Sequence, residues 1–76
     1  MREMGFKMER AGLVKVGQEV EVYEGQTPAF YYYTIVPAVA MSGNYRVYER
    51  LKTTKGIVKS IEDLASGFWV TVEFDE

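Results

Sequence analysis

The sequence predicts an all-β fold, a small five-stranded barrel, and three stretches carry that prediction. From Gly67 to Glu76, Phe68, Val70, Val72 and Phe74 fall on one parity, and Trp69, Thr71, Glu73 and Asp75 on the other. That is the two-residue period of a strand with one buried face. From Lys15 to Glu24 the same period recurs, with Val14, Val16, Val20 and Val22 opposed to Lys15, Glu19 and Glu21. Ala29 to Val36, AFYYYTIV, is aromatic or β-branched at nearly every position, the composition of a strand.

Size and composition bound the rest. A chain of 76 residues makes one domain, and a domain this short buries only about 60% of the surface its unfolded form exposes. With 47% hydrophobic and 14% aromatic residues it is too apolar for the disordered class. It has no cysteine and no histidine, so no disulfide staples it and the usual ligands of zinc are missing. No cofactor is expected. The apolar run around Ala29 to Met41 is broken by Pro37 and studded with tyrosine, too short and too polar to cross a bilayer. The opening MREMGFKMER lacks the apolar run of a signal peptide. A soluble, cytoplasmic protein with no membrane partner is the expectation.

Taken in order, residues 1–13 read as a poorly ordered lead-in and 14–76 as the barrel. Met1, Met4 and Met8 have helical spacing, but Gly5 and Gly12 weaken a helix and no capping residue announces one. Lys15 to Glu24 is the first strand, and Glu24 to Pro28 the loop after it, punctuated by Gly25 and Pro28. Ala29 to Val36 is the second strand, ended by Pro37, which cannot donate to a ladder. Ala38 to Asn44 is read as a turn on its Ser42, Gly43 and Asn44. Tyr45 to Leu51 alternates imperfectly as a third strand. Thr53 to Glu62 is the fourth, and its apolar parity breaks between Val58 and Ile61, which predicts a β-bulge near Lys59 and Ser60. Glu62 to Gly67 is a helical turn or a hairpin loop leading into the fifth strand.

Three of these segments resemble a known architecture. KVGQEVEVYEG at Lys15 to Gly25, KGIVKSI at Lys55 to Ile61 and WVTVEFDE at Trp69 to Glu76 resemble the first, fourth and fifth strands of an SH3-like barrel of the KOW, Tudor or ferredoxin-thioredoxin reductase variable-chain kind. A V-G-x-x-V-x-V opener and a closing G-x-V-x-x-I … V-x-V-x-F hairpin are common in such domains. The middle of the chain, Ala29 to Arg50, matches no such member. The acidic and aromatic loop and paired tryptophan of peptide-binding SH3 domains are not present in order, so recognition of proline-rich peptides is not implied. The resemblance implies a fold, and a fold alone assigns no function.

Candidate binding residues follow from parity and charge. Tyr31, Tyr32 and Tyr33 must alternate across a strand, and Trp69 lies opposite the apolar face of its own strand. Together with Tyr48 these rings have the composition of a protein-binding anchor, for another protein or a second copy. The competing reading is a second mini-core, or cover from Phe6 and Met8. Between Arg46 and Lys59, five basic residues (Arg46, Arg50, Lys52, Lys55 and Lys59) face Glu49 alone, a net of +4. That leaves four basic and ten acidic residues elsewhere, or −6. With Tyr45 and Tyr48 this window forms the alternative candidate, a nucleic-acid-binding hairpin, whose ordinary reading is a solvated surface.

Glu19, Glu21, Glu73 and Asp75 would face one another if the first and last strands were neighbours. Carboxylates so placed offer oxygen ligands to a hard cation, and a solvated acidic face is the plainer reading. Catalysis has little to use, because the serine and threonine hydroxyls lack a recognisable base and no glycine-rich phosphate loop precedes a helix. The expectation is a non-catalytic binding module.

Overall fold

The last strand sets the geometry of the whole domain. Val70, Val72 and Phe74 are completely buried, and the strand they form is flanked on both sides. In the structure, a computed structural model that describes residues 1–10, 12–36 and 40–76, six antiparallel strands close a barrel. They are β1 (Arg2–Met8), β2 (Glu19–Gln26), β3 (Tyr31–Ile35), β4 (Ala40–Ser42), β5 (Lys55–Leu64) and β6 (Gly67–Phe74). Their order around the barrel is β1-β4-β3-β2-β5-β6, with β6 returning to β1. The all-β barrel class is as predicted and is compatible with an SH3-like barrel. The strand count is six rather than five.

The sixth strand is the segment expected to be a lead-in. Arg2–Met8 pairs along its length with β6 and, from Phe6 to Met8, with β4. Met4, Phe6 and Met8 are all buried in the core. Their period is two, and the wider 1, 4, 8 spacing of methionines hid it. Gly5 stands on the outer face between them. In a strand interior a glycine often marks close approach by another group, and here that group is Trp69.

Two further elements differ from the sequence reading. Part of the expected turn at 38–44 is strand β4, because Ala40 and Met41 find partners on both β1 and β3. The predicted strand end at Pro37 lies outside the described residues. Tyr45 to Leu51 is not a strand. Only Tyr45 bridges to Tyr31, with N–H···O contacts of 2.7 and 2.8 Å. The chain then folds into a 3-10 turn, Val47–Glu49. The Glu49 carboxylate accepts the Arg46 N–H at 3.1 Å while the Glu49 N–H reaches back to the Arg46 carbonyl at 2.9 Å. Two local bonds of this kind compete with a sheet ladder.

The predicted bulge is present. Val58 faces Val72 and Ser60 faces Thr71, which leaves Lys59 as the extra residue. One inserted residue reverses the parity, so Val58 is buried and Ile61 still packs against the core beyond the break. Ala65 and Ser66 then make the tight turn of the β5–β6 hairpin. Gly67 follows with φ +140°, and a side chain there would meet the Met8 carbonyl at 2.9 Å. Strands β2 and β6 are not neighbours, since β5 runs between them. The acidic residues on their outer faces are therefore separated by a strand.

Candidate functional site

The inward parity of β2 begins Val20, Val22 and then places a carboxylate, Glu24, at one end of the barrel. Two donors meet it. The Tyr33 hydroxyl donates at 2.8 Å, and Arg50 Nε donates to both carboxylate oxygens at 2.8 and 3.0 Å. Tyr33 is almost fully buried, 2% exposed, and its oxygen in turn accepts the Leu51 N–H at 2.8 Å. The hydrogen bond from Arg50 holds the Glu24 carboxyl below the ordinary carboxylate range, against the opposing effect of burial. Burial pushes the Tyr33 phenol up. Both groups are thus fixed as anion and neutral phenol near neutral pH.

The segment from Gly43 to Thr54 crosses this end with one sheet bridge, and side chains fasten it down. Arg2 donates to the Arg50 carbonyl at 3.4 Å and to the Glu49 carbonyl, pairs with Glu76 at 3.2 Å, and stands 5.8 Å over the Tyr45 ring. Glu76 accepts the Lys52 and Thr53 N–H groups at 2.8 and 3.1 Å. Arg50 lies 4.9 Å over the Tyr31 ring, and Arg46 lies 5.8 Å over Phe30. Beside this network opens a pocket of about 230 Å³, lined in part by Val22, Glu24, Arg50, Lys52 and Thr54.

The proposed protein-binding rings are scattered. Trp69 does lie on the outer face and is 39% exposed. Its indole, however, rests on Gly5 of the neighbouring strand, and Tyr32 rests on Gly25 in the same way. Each ring covers backbone that a glycine leaves bare, so part of its apolar area is spent within the barrel. Tyr31 is half-buried beneath Arg50. Tyr33 as a docking anchor is corrected: it points inward, and its hydroxyl is used by Glu24 and Leu51. Tyr48 is the most open ring, 80% exposed on the 3-10 turn next to the exposed Val47.

The five cations do not form one hairpin surface. Arg46, Arg50 and Lys52 lie on the connecting segment, whereas Lys55 and Lys59 lie on β5. Arg50 is paired with Glu24, Lys59 with Glu3, and Lys55 stands opposite Glu21 in the β2–β5 ladder. Tyr45 is half-buried against Tyr33, ring centres 6.1 Å apart, and is not free to stack on a base. Of the acidic set, Glu19 and Glu73 both flank Ile57 from opposite sides. Among the described residues no group of three or more carboxylates could hold a metal ion.

Sequence parity missed one apolar row on the outer surface. Across β2, β3 and β4 the register aligns Tyr23, Thr34 and Met41. Tyr23 and Met41 are each about half exposed, at 53% and 52%, yet Thr34 between them is 4% exposed. Thr34 is thus shielded at an outer-face position, in register with Tyr23 on one side and Met41 on the other. Tyr32 on β3 and Val36, just past its end and 41% exposed, share the parity of Thr34. The opposite face, β5, β6 and β1, carries Glu3, Lys7, Lys55, Lys59, Glu62 and Glu73. The signal was available in principle, since Tyr23 sits on the polar parity of β2.

Comparison of the chain with protein-family models, with curated proteins and with solved structures finds no match. No helix among the described residues is long and apolar enough to cross a membrane.

Proposed function

We propose that this protein is a non-catalytic interaction module of the SH3-like barrel kind that associates with a second copy of itself through the outer face of β2, β3 and β4. The single observation that carries this is the 4% exposure of Thr34 in a row that the register shares with the half-exposed Tyr23 and Met41, three side chains that parity alone leaves separate. Contiguous patches of this kind mark interaction sites, whereas single exposed apolar residues do not. A two-fold contact sets the same patch of both copies against itself, residue i on residue j and j on i. The Tyr23, Thr34 and Met41 row itself carries no charge, and Glu21 of β2 and Lys7 of β1, which border it, are of opposite sign. A standard interface takes about 800 Å² from each partner, roughly a sixth of the 4999 Å² surface of this chain.

Sedimentation velocity over a wide concentration range tests the reading. A dimer that dissociates on dilution, and that Tyr23→Ser with Met41→Ser converts to a monomer without loss of the far-UV spectrum, is the expected result. A monomer at every concentration overturns self-association.

A second reading, a KOW- or Tudor-like nucleic-acid module, has one observation in its favour: the open Tyr48 ring shares the connecting segment with Arg46 and Lys52, neither of which forms a salt bridge among the described residues. It predicts binding of mixed RNA or DNA oligomers that is strongest at low salt. Absence of binding there removes it.

A further inference from the structure

The pocket at the barrel mouth has the parts of a receptor for a small anion. Arg50 lines it, and the guanidinium is held in two ways: Nε by Glu24, and one face by the Tyr31 ring at 4.9 Å. Among the described residues neither Nη group of Arg50 has a hydrogen-bond partner. A planar fork fixed at one edge and one face, with its end open, matches a carboxylate bidentately. Glu24 and Arg50 cancel in charge, and Lys52 adds one positive charge to the lining. That balance suits a single negative charge. A phosphate would bring up to two beside Glu24.

The volume limits the rest of the ligand. About 230 Å³ is the share of roughly eight water molecules at about 30 Å³ each, just below the usual range for drug-sized ligands. Val22 and Leu51 supply an apolar wall, and both are buried. We propose that this pocket binds a monocarboxylate with a short apolar tail, its carboxylate held end-on by the two Nη groups of Arg50 with Lys52 as the second cation. The carboxylate belongs either to a small free acid or to the C-terminal residue of a peptide. This site goes beyond the self-association reading and uses the inward parity of the strands, so the Tyr23→Ser and Met41→Ser variant leaves it intact and the two readings fail separately.

The test is a titration of the full chain, followed by amide chemical shifts, with butyrate, with a short peptide bearing a free C-terminus, with the same peptide amidated, and with inorganic phosphate. Saturable shifts centred on Arg50 to Thr54, with Val22, Glu24 and Tyr33 of the lining, are expected for butyrate, for the free-acid peptide, or for both. The amidated peptide should be silent. Tighter binding of the free-acid peptide assigns the site to chain termini, and equal or tighter binding of butyrate assigns it to small acids. Loss of one bidentate charged contact in Arg50→Gln should weaken binding roughly ten- to a hundredfold, and Lys52→Gln up to about fivefold. Should Arg50→Gln fail to fold, Arg50→Lys retains the charge beside Glu24 but lacks the fork, and the same loss is expected. Absence of saturable shifts, unchanged affinity in the Arg50 variants, or phosphate binding as well as the carboxylates overturns the proposal.

Discussion

The indole of Trp69 lies directly on Gly5: a methyl added at that glycine would sit 2.1 Å from Cζ2 and 2.4 Å from Cε2 of the ring. The tryptophan that parity sends outward is therefore half-sheltered by the strand beside it. Its exposure reflects what a glycine leaves open.

Gly5→Ala accordingly forces the ring off β1. The expected cost is about 1–3 kcal/mol, the range for added bulk at a packed contact, together with a red shift of the tryptophan emission. Urea unfolding and fluorescence read both. An unchanged emission maximum would mean that the ring does not rest there in solution.

Phe6→Ala tests the place of the first strand. Phe6 is fully buried between β4 and β6, and loss of such a ring costs about 3–5 kcal/mol. Small domains hold about 5–15 kcal/mol in total. The variant should be largely unfolded or melt far lower by circular dichroism. A poorly ordered lead-in would tolerate it without change.

Tyr33→Phe removes one oxygen and strands two groups. The Leu51 N–H loses its acceptor in a buried position, and Glu24 loses a donor. About 1–3 kcal/mol of destabilisation is expected. Amide hydrogen exchange should rise first at Leu51 and its neighbours, ahead of β6.

Glu24 gives the domain an acid-sensitive fastening. Its native carboxyl is held below the ordinary 4.5 by Arg50, so on acidification the unfolded chain takes up the proton first. The stabilisation is complete above the unfolded value and is lost as pH falls through the lower native one. Thermal melts between neutral and strongly acidic pH should show a decline in this window that Glu24→Gln flattens. Equal slopes in the two proteins would show that another carboxylate is responsible.

Much of the barrel is written locally. The alternation in Phe68 to Phe74 and in Val20 to Val22 names an inner face wherever the strand is placed, because a side-chain period of two is a property of the extended backbone. The Val58 to Ile61 break locates the bulge for the same reason. What parity cannot state is which strand lies beside which. The neighbour of β6 on its far side is β1, and only that pairing turns Met4, Phe6 and Met8 from an ambiguous run into core. Tyr23 and Met41 are 18 positions apart in the chain and become one surface by register alone. The union of Glu24, Tyr33 and Arg50 joins two strands to a connecting segment that reads locally as a strand of its own. Local sequence thus decided the faces of the strands, through backbone geometry. Closure of the barrel decided their partners, because it alone brings residues distant in the chain within reach of a hydrogen bond or a packed ring.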